Sequence, residues 1–282
     1  MSLPSLPYYH IDRLIAEGGT ARVYWGIDMR SGFPVAIKEL KFNYMKYDDI
    51  VQLFKGEANK YLYFTHPFMT KLIDFYDYKG RLYIMMEYVE GMTLDAHIST
   101  VSGPIPEEAA VPMFNKILDV IDFLHNVEYP DTKGFIRKGV LHLDIKSNNI
   151  MVLPDKNSIK LLDLGISVNV GEGAFSTGFG TPNYMPPEQG IKGAKLGRYT
   201  DIFSLGVLLF EMLTGRLPFW SKSREETRRK ITFDPTPQAQ QFYPPINPEF
   251  QIILERATAK NPMDRYQTCK EMKDALLMIK NK

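Results

Sequence analysis

The chain has 282 residues, 44% of them hydrophobic, which is enough for two packed lobes with cores of their own. Because 34 Lys and Arg residues almost balance 33 Asp and Glu residues, the net charge of +1 produces no field for a polyanion, and nucleic acid is not an expected partner. The single cysteine, Cys269, excludes an intrachain disulfide and agrees with a reducing compartment such as the cytoplasm, and the longest apolar run, 202–213, is too short to be a membrane segment.

The N-terminal part of the chain has the pattern of a sheet with one helix. Residues 22–27 and 33–40 are rich in β-branched and aromatic side chains and predict two strands. Residues 82–86 predict a further strand, which enters a glycine-containing connector of the kind found at a hinge. Apolar residues at helical spacing predict a helix over 48–64, in which Glu57 is the only acid beyond the first turn.

Two features of this part have chemistry suited to a nucleotide. Gly18 lies in a glycine-containing loop that would let backbone N–H groups approach phosphate oxygens, although Ala16 and Ala21 occupy the outer positions of the G-x-G-x-x-G pattern. The same glycines could form only a hairpin turn. Lys38 ends an apolar strand and needs an anionic partner if it points inward, for which Glu57 is the candidate. The alternative is a lysine at a sheet edge in water.

The second half is predominantly helical by its apolar periodicity. Helices are predicted over 107–127, 201–213, 252–259 and 272–279. The second of these is apolar almost all round, so we expect it to be buried, with Thr200 as its cap. Residues 126–139 are polar and contain Pro and Gly, which predicts a surface insertion without an assigned function.

The stretch His-Leu-Asp-Ile-Lys-Ser-Asn-Asn at 142–149, followed by Asp163, has the composition that phosphoryl transfer needs. Asp144 could accept the proton of an acceptor hydroxyl, and Lys146 could hold a phosphate. Asn149 and Asp163 offer the oxygen ligands that Mg²⁺ prefers. A hairpin with strands at 150–153 and 159–162 would bring these two residues together. By itself the stretch could equally be a polar loop followed by a hairpin and a turn.

The motifs, in their order, resemble those of a eukaryotic-like protein kinase catalytic domain of the bacterial Ser/Thr type, over essentially the full chain. They comprise Val35-Ala36-Ile37-Lys38, Glu57, His142-Leu143-Asp144 with Asn149, Asp163-Leu164-Gly165, Gly180-Thr181-Pro182, Pro186-Pro187-Glu188, Asp201 and Arg265. The resemblance implies an α+β, bilobal fold within one catalytic domain. Residues 1–88 would form a small antiparallel β-sheet lobe with one helix, and residues 89–282 the hinge and a larger, mostly helical lobe.

The resemblance also implies roles for individual positions. The catalytic set would be Asp144, Lys146, Asn149, Lys38, Glu57 and Thr181. The ATP-binding set would be Ala16, Gly18, Val23, Ala36, Lys38, Met86, Glu87, Val89 and Met151, and the Mg²⁺ ligands would be Asn149 and Asp163. Structural roles would fall to the apolar stack Tyr61, Leu72, His142 and Leu164, to the Glu188–Arg265 ion pair and to Asp201, which would anchor the catalytic loop.

Specificity, regulation and ATP affinity can be anticipated from individual positions. Lys146 together with Thr181 resembles the Ser/Thr pattern, whereas Asn148 gives no support for a preference for arginine before the acceptor. Leu143 stands where an Arg is usual, so we expect activity without a phosphate on the activation loop. Leu164 replaces the usual Phe and should have little effect. The alanines at 16 and 21 predict weaker ATP binding, because they stiffen the phosphate loop.

The implied function is ATP- and Mg²⁺-dependent transfer of the γ-phosphoryl group to Ser and Thr hydroxyls of proteins. The protein itself would be among the substrates, in a homodimer that phosphorylates in trans. The expected autophosphorylation sites are Ser167, Ser176, Thr177 and Thr181. Two alternatives stay open: a pseudokinase that acts as a nucleotide-binding scaffold, favoured only by the weakened phosphate loop, and a kinase for small molecules.

Overall fold

The computed structural model describes residues 3–131, 134–155, 158–164, 168–169 and 180–280, and twelve strands and seven helices lie within them. The strands are β1 (Tyr9–Glu17), β2 (Ala21–Asp28), β3 (Pro34–Leu40), β4 (Leu72–Tyr78), β5 (Arg81–Glu87), β6 (Met92–Thr93), β7 (Glu128–Pro130), β8 (Ile136–Lys138), β9 (Val140–Leu141), β10 (Ile150–Val152), β11 (Ile159–Leu161) and β12 (Val168–Asn169). The helices are α1 (Asp48–Tyr61), α2 (Leu94–His97), α3 (Glu107–Asn126), α4 (Arg198–Thr214), α5 (Arg224–Phe233), α6 (Glu249–Ala257) and α7 (Cys269–Lys280).

The chain divides into two compact units, residues 1–90 and 91–282. The first unit is a five-stranded antiparallel sheet in the order β1-β2-β3-β5-β4, accompanied by α1. The second unit contains α2 to α7 and small sheets, the largest of which has the order β11-β10-β6. The predicted α+β class, with a sheet lobe followed by a mostly helical lobe, is confirmed.

The two faces of the sheet in the first unit differ in what they carry. Lys38 lies opposite Val23 on β2, and Ala36 lies opposite Met86 on β5. Directly opposed residues and residues two apart on a strand share a face, so these four side chains project from the same side of the sheet. The opposite side packs a core of Leu6, Tyr9, Ile11, Tyr24, Val35, Ile37, Tyr83 and Met85. The sheet therefore presents the predicted nucleotide residues on the face away from this core.

Helix α1 forms as its sequence predicts but ends earlier. Asp48 and Asp49 in the first turn and Lys60 in the last turn complement the helix dipole. The buried positions follow the helical repeat and are Phe54, Glu57, Ala58 and Tyr61. The predicted end at residue 64 was wrong, because the helix stops at Tyr61.

In the second unit α4 is buried along almost its whole length, as its composition predicts. The helix begins at Arg198 rather than at Thr200, so the predicted cap was placed wrongly. Thr200 is the third helical residue, and its Oγ1 accepts a hydrogen bond from the backbone N–H of Gly197 at 3.1 Å. Gly206 is required by close packing, since a Cβ there would lie 2.7 Å from the Cβ of Ala257 on α6.

The hairpin predicted after residues 142–149 is present, with β10 and β11 paired antiparallel. The polar insertion predicted at 126–139 contains a second hairpin, formed by β7 and β8. The sequence did not predict these two strands. No helix in the described residues is both long enough and apolar enough to cross a membrane.

Candidate active site

Three side chains of the second unit form a closed polar cluster around one carboxylate. The Lys146 Nζ lies 2.7 Å from Asp144 Oδ2, and the Thr181 hydroxyl donates to Asp144 Oδ1 at 2.9 Å. The Lys146 Nζ also lies 2.8 Å from Thr181 Oγ1. The carboxylate is therefore held at both oxygens, by a cation on one side and by a hydroxyl on the other.

Asn149 adds an amide to this cluster in a defined orientation. Its Nδ2 donates to the backbone carbonyl of Asp144 at 2.9 Å and to Asp144 Oδ2 at 3.2 Å. Because a carbonyl can only accept, the atom facing it must be the amide nitrogen. The Asn149 Oδ1 consequently points away from Asp144 and offers its lone pairs to another group, such as a cation.

The hairpin extends the cluster towards Asp163. The backbone N–H of Leu162 donates to the carbonyl of Asn149 at 2.9 Å, which continues the β10–β11 pairing by one residue. Asp163 follows directly, and its carbonyl oxygen lies 2.6 Å from His142 Nε2. The Asp144 N–H donates to His142 Nδ1 at 3.2 Å, so Nδ1 is the accepting nitrogen and Nε2 carries the proton.

The buried Asp201 on α4 fixes the backbone that precedes Asp144. Its two oxygens accept hydrogen bonds from the N–H groups of His142 at 2.8 Å and Leu143 at 2.9 Å. Burial alone would raise the pKa of Asp201, but the hydrogen bond from His125 and the surrounding partial positive charges hold that pKa below its usual value. The carboxylate therefore stays ionised and anchors the loop, as the sequence predicts for this position.

Leu143 is held in a conformation that non-glycine residues rarely adopt, with φ of +63°. Its N–H bonds to Asp201, and its carbonyl accepts from Gln189 Nε2 at 2.8 Å. Such backbone strain persists only where neighbouring contacts enforce it. The Leu143 side chain packs against Leu141, Leu196 and Val168, so this position lies in an apolar cluster.

A second network, which the sequence reasoning missed, links the loop that carries Asp144 to α4. The Ser147 Oγ lies 3.0 Å from the Tyr184 hydroxyl and 3.2 Å from Glu211 Oε1, and the Tyr184 hydroxyl donates to Glu211 Oε2 at 2.5 Å. Burial raises the pKa of Glu211 to about 7. The available signal was an acid inside the apolar stretch 202–213, because such an acid needs buried partners.

His125 at the end of α3 is a further residue that the sequence reasoning missed. Its Nε2 lies 2.8 Å from Asp201 Oδ2, and its Nδ1 lies 3.8 Å from the sulfur of Cys269. Burial, followed by nearby carboxylates, raises the pKa of Cys269 well above its usual value, so the thiol is protonated. A buried, protonated thiol of this kind is inert, which indicates a structural role for Cys269.

In the first unit the predicted Lys38–Glu57 pair is formed. The Lys38 ammonium lies 2.8 Å from Glu57 Oε1 and 2.9 Å from Oε2, and both residues are buried. The charge is thus fixed on the face of the sheet that carries Val23, Ala36 and Met86. The loop between β1 and β2 is closed by a hydrogen bond from the Gly18 N–H to the carbonyl of residue 21, at 2.9 Å.

The remaining predicted positions are placed as follows. Ala16 lies near the end of β1, Glu87 ends β5, Val89 is buried two residues later, and Met151 lies on β10. Their roles, and that of the predicted apolar stack, stay predictions. Gly165, Ser167, Ser176 and Thr177 lie outside the described residues.

Arg265 and Glu188 form the buried ion pair that the sequence predicts. The guanidinium makes two parallel contacts, of 2.7 Å and 2.9 Å, with the two carboxylate oxygens. It also donates to the backbone carbonyls of Ala259, Tyr199 and Lys260. This pair ties the segment after Thr181 to the loop before α7.

Comparison with known proteins identifies a family and its relatives. The model of the family described as protein kinase domain matches residues 9–277. The chain is 33% identical to the serine/threonine-protein kinase PrkC of Bacillus subtilis, over 94% of this chain and 39% of that protein. It is 31% identical to the probable serine/threonine-protein kinase PknB of Lactococcus lactis and 30% identical to PknB of Mycolicibacterium smegmatis, over 94% and 96% of this chain and 40% and 43% of those proteins. The chain therefore spans about two fifths of the length of these relatives.

Proposed function

The chain belongs to the protein kinase family, and from this premise we propose that it transfers the γ-phosphoryl group of ATP to Ser and Thr hydroxyls of proteins. The observation that carries the proposal is the cluster of Asp144, Lys146, Thr181 and Asn149. The three relatives named above are described as serine/threonine-protein kinases, which supports the same acceptor class.

The donors in the second unit fit a magnesium ion. Within the described residues no group of three or more His, Cys, Asp and Glu side chains is placed to hold a metal. Mg²⁺ does not need such a cage, because it usually binds one or two carboxylates together with phosphates and water. We propose that Asn149 Oδ1 and the carboxylate of Asp163 are its protein ligands.

The first unit fits the nucleotide. The ammonium of Lys38 is fixed by Glu57, which gives a positioned cation for phosphate oxygens. Val23, Ala36 and Met86 offer an apolar surface on the same face of the sheet, and Ala36 is small enough to leave room beside it. We propose that the adenine ring lies against these side chains.

The chemistry assigned to this chain is positioning and proton acceptance. When bound, ATP supplies the phosphoryl group and Mg²⁺ neutralises part of its charge. Asp144 orients the acceptor hydroxyl and accepts its proton, while Lys146 balances the negative charge near the transferred group. Thr181 holds the Asp144 carboxylate through its hydroxyl and thereby keeps the base in place.

The test is mass spectrometry of the purified protein after incubation with ATP, Mg²⁺ and a casein-type substrate, beside Asp144→Ala. Phosphate on Ser or Thr with the wild type alone is the expected result. If neither the wild type nor the substrate gains phosphate, the proposal fails. ATP consumption in the presence of small-molecule acceptors then separates a small-molecule kinase, which turns ATP over, from a nucleotide-binding scaffold, which does not.

We also propose protein substrates as the partners, with trans-autophosphorylation in a homodimer, and a cytoplasmic location, where ATP is supplied. Analytical ultracentrifugation, together with phosphorylation of an Asp144→Ala copy by the wild type, tests the first part. Phosphate on the inactive copy is expected, and its absence would contradict phosphorylation in trans.

A further inference from the structure

A small pocket lies directly beside the candidate active site in the second unit. It begins at Pro182, the residue after Thr181, whose hydroxyl donates to Asp144. Its walls are Pro182, Met185, Pro186 and Pro187 on one side and Arg224, Arg228, Ile231 and Thr232 of α5 on the other. The residues of α5 are spaced by three and four, so they share one face of that helix.

The size of the pocket limits what it can hold. Its volume is about 130 Å³, whereas sites for cofactors and drug-sized ligands usually have roughly 300–1,000 Å³. The pocket therefore suits one side chain of an extended peptide rather than a nucleotide. Because a peptide backbone advances about 3.3–3.6 Å per residue, a side chain there would lie within a few residues of an acceptor at Asp144.

The charged residues at the pocket indicate which kind of peptide side chain it would bind. The ion pairs within the described residues leave Arg224 and Arg228 without a carboxylate partner, whereas Arg229 on the same helix binds both Glu226 and Asp234. Both arginines are exposed at the pocket. Two guanidinium groups above an apolar wall match an anionic side chain, whose stem packs on the prolines while its charge meets the arginines.

The absence of a side chain at Gly190 leaves room for the guanidinium of Arg228. A Cβ built on Gly190 would overlap both terminal nitrogens of the Arg228 guanidinium. The guanidinium therefore lies close to Gly190, next to the segment that leads from Thr181 to Glu188. This close approach places the charge of Arg228 beside the segment that lines the other side of the pocket.

We propose that this pocket is a specificity site that binds an anionic side chain close to the acceptor Ser or Thr of the substrate, so that the protein favours acidic sequences. The inference rests on the proposed function, since it names the substrate class of the same site. The anion could be the carboxylate of Asp or Glu or the phosphate of a residue already phosphorylated, and the two are distinguished by experiment.

The test compares peptides that are identical except for Glu, Gln or phosphoserine at one position, scanned over three residues on each side of the acceptor. We expect kcat/KM to be about tenfold higher for Glu or phosphoserine than for Gln at one or more positions. The ratio should fall close to one in Arg224→Gln/Arg228→Gln. The matched control Arg229→Gln removes one charge from the same helix and should keep the tenfold ratio.

Gly190→Ala provides a variant in which every charge is retained. Its added methyl group displaces the Arg228 guanidinium, so the ratio of anionic to neutral peptide should fall severalfold. A wild-type ratio near one at every scanned position, or a tenfold ratio that survives in the double arginine variant, would overturn the pocket assignment while leaving kinase activity intact.

A binding measurement separates the two proposals. Fluorescence anisotropy with the same labelled peptides is performed on Asp144→Asn, which binds without turnover. Tighter binding of the anionic peptides that depends on both arginines supports the pocket even if no peptide is phosphorylated, in which case the proposed function alone fails. Equal binding of the Glu, Gln and phosphoserine peptides overturns the pocket.

Discussion

Glu211 should make the stability of this protein depend on pH in a direction opposite to that of most carboxylates. It lies buried on α4 and is bonded to Ser147 and Tyr184. Burial, with a smaller contribution from Asp95, raises its pKa from 4.5 to about 7, so the folded protein binds a proton that the unfolded chain releases. The resulting stabilisation is fully present below the unfolded pKa and is lost as the pH rises through the folded pKa.

The size of the effect follows from the pKa difference. A difference from 4.5 to about 7 corresponds to about 3 kcal/mol in total, of which about 2.5 kcal/mol falls between pH 5 and pH 8. Urea denaturation of the wild type and of Glu211→Gln measures it, because the amide keeps the shape of the side chain without titrating. The wild type should lose about 2.5 kcal/mol relative to the variant between these two pH values.

The difference in the free energy of unfolding between the wild type and Glu211→Gln cancels the titration of every group that the two proteins share. Glu225→Gln, at an exposed position on α5, serves as the control and should follow the wild type in parallel at all pH values. A constant difference between wild type and Glu211→Gln from pH 5 to pH 8 would refute the reasoning, since it would mean that the folded protein does not hold the proton.

Three further substitutions test buried charges elsewhere. Lys38→Met leaves the carboxylate of Glu57 buried without the ammonium of Lys38, so turnover should fall at least a hundredfold. Phosphorylation at the wild-type rate would contradict the role proposed for Lys38 in binding the phosphates. Arg265→Leu should lower the free energy of unfolding, measured in urea, by about 3–5 kcal/mol, and adding Glu188→Leu should recover part of this loss. If the two substitutions instead lower the free energy of unfolding additively, the ion pair is not the source of the loss. Leu143→Arg places a cation in an apolar cluster and should lower the melting temperature by several degrees, whereas an unchanged value would show that the position tolerates charge.

Elements with a strong periodic pattern were predictable from the sequence. The strands β2, β3 and β5 and the helices α1, α3 and α4 were located to within three residues at each end. By contrast, β1 was not predicted, because most of its residues are exposed and show little alternation. The short strands β7 and β8 also lack a pattern, since only one of their six residues is buried. Helix α5 was missed because its sequence is predominantly charged.

The residues of the candidate site also differ in how far the sequence alone predicts them. The sequence predicted Asp144, Lys146 and Asn149 as site residues, because a carboxylate, an ammonium and an amide lie within six residues of one another. Lys38 was paired with Glu57 because a lysine that ends an apolar strand needs an anionic partner and Glu57 is the only acid beyond the first turn of the next helix. The resemblance to kinases supplied the pair of Glu188 with Arg265, which no local pattern specifies.

What the sequence determined is therefore the family and the chemical groups, because phosphoryl transfer requires fixed residue types in a fixed order. The tertiary structure alone decided which buried groups meet, such as Ser147 with Glu211, 64 residues apart. It also decided that the guanidinium of Arg228 lies close to Gly190, at the pocket that begins next to Thr181. Contacts of this kind depend on how α4 and α5 pack against the loops around them, and residue spacing along the chain does not specify that packing.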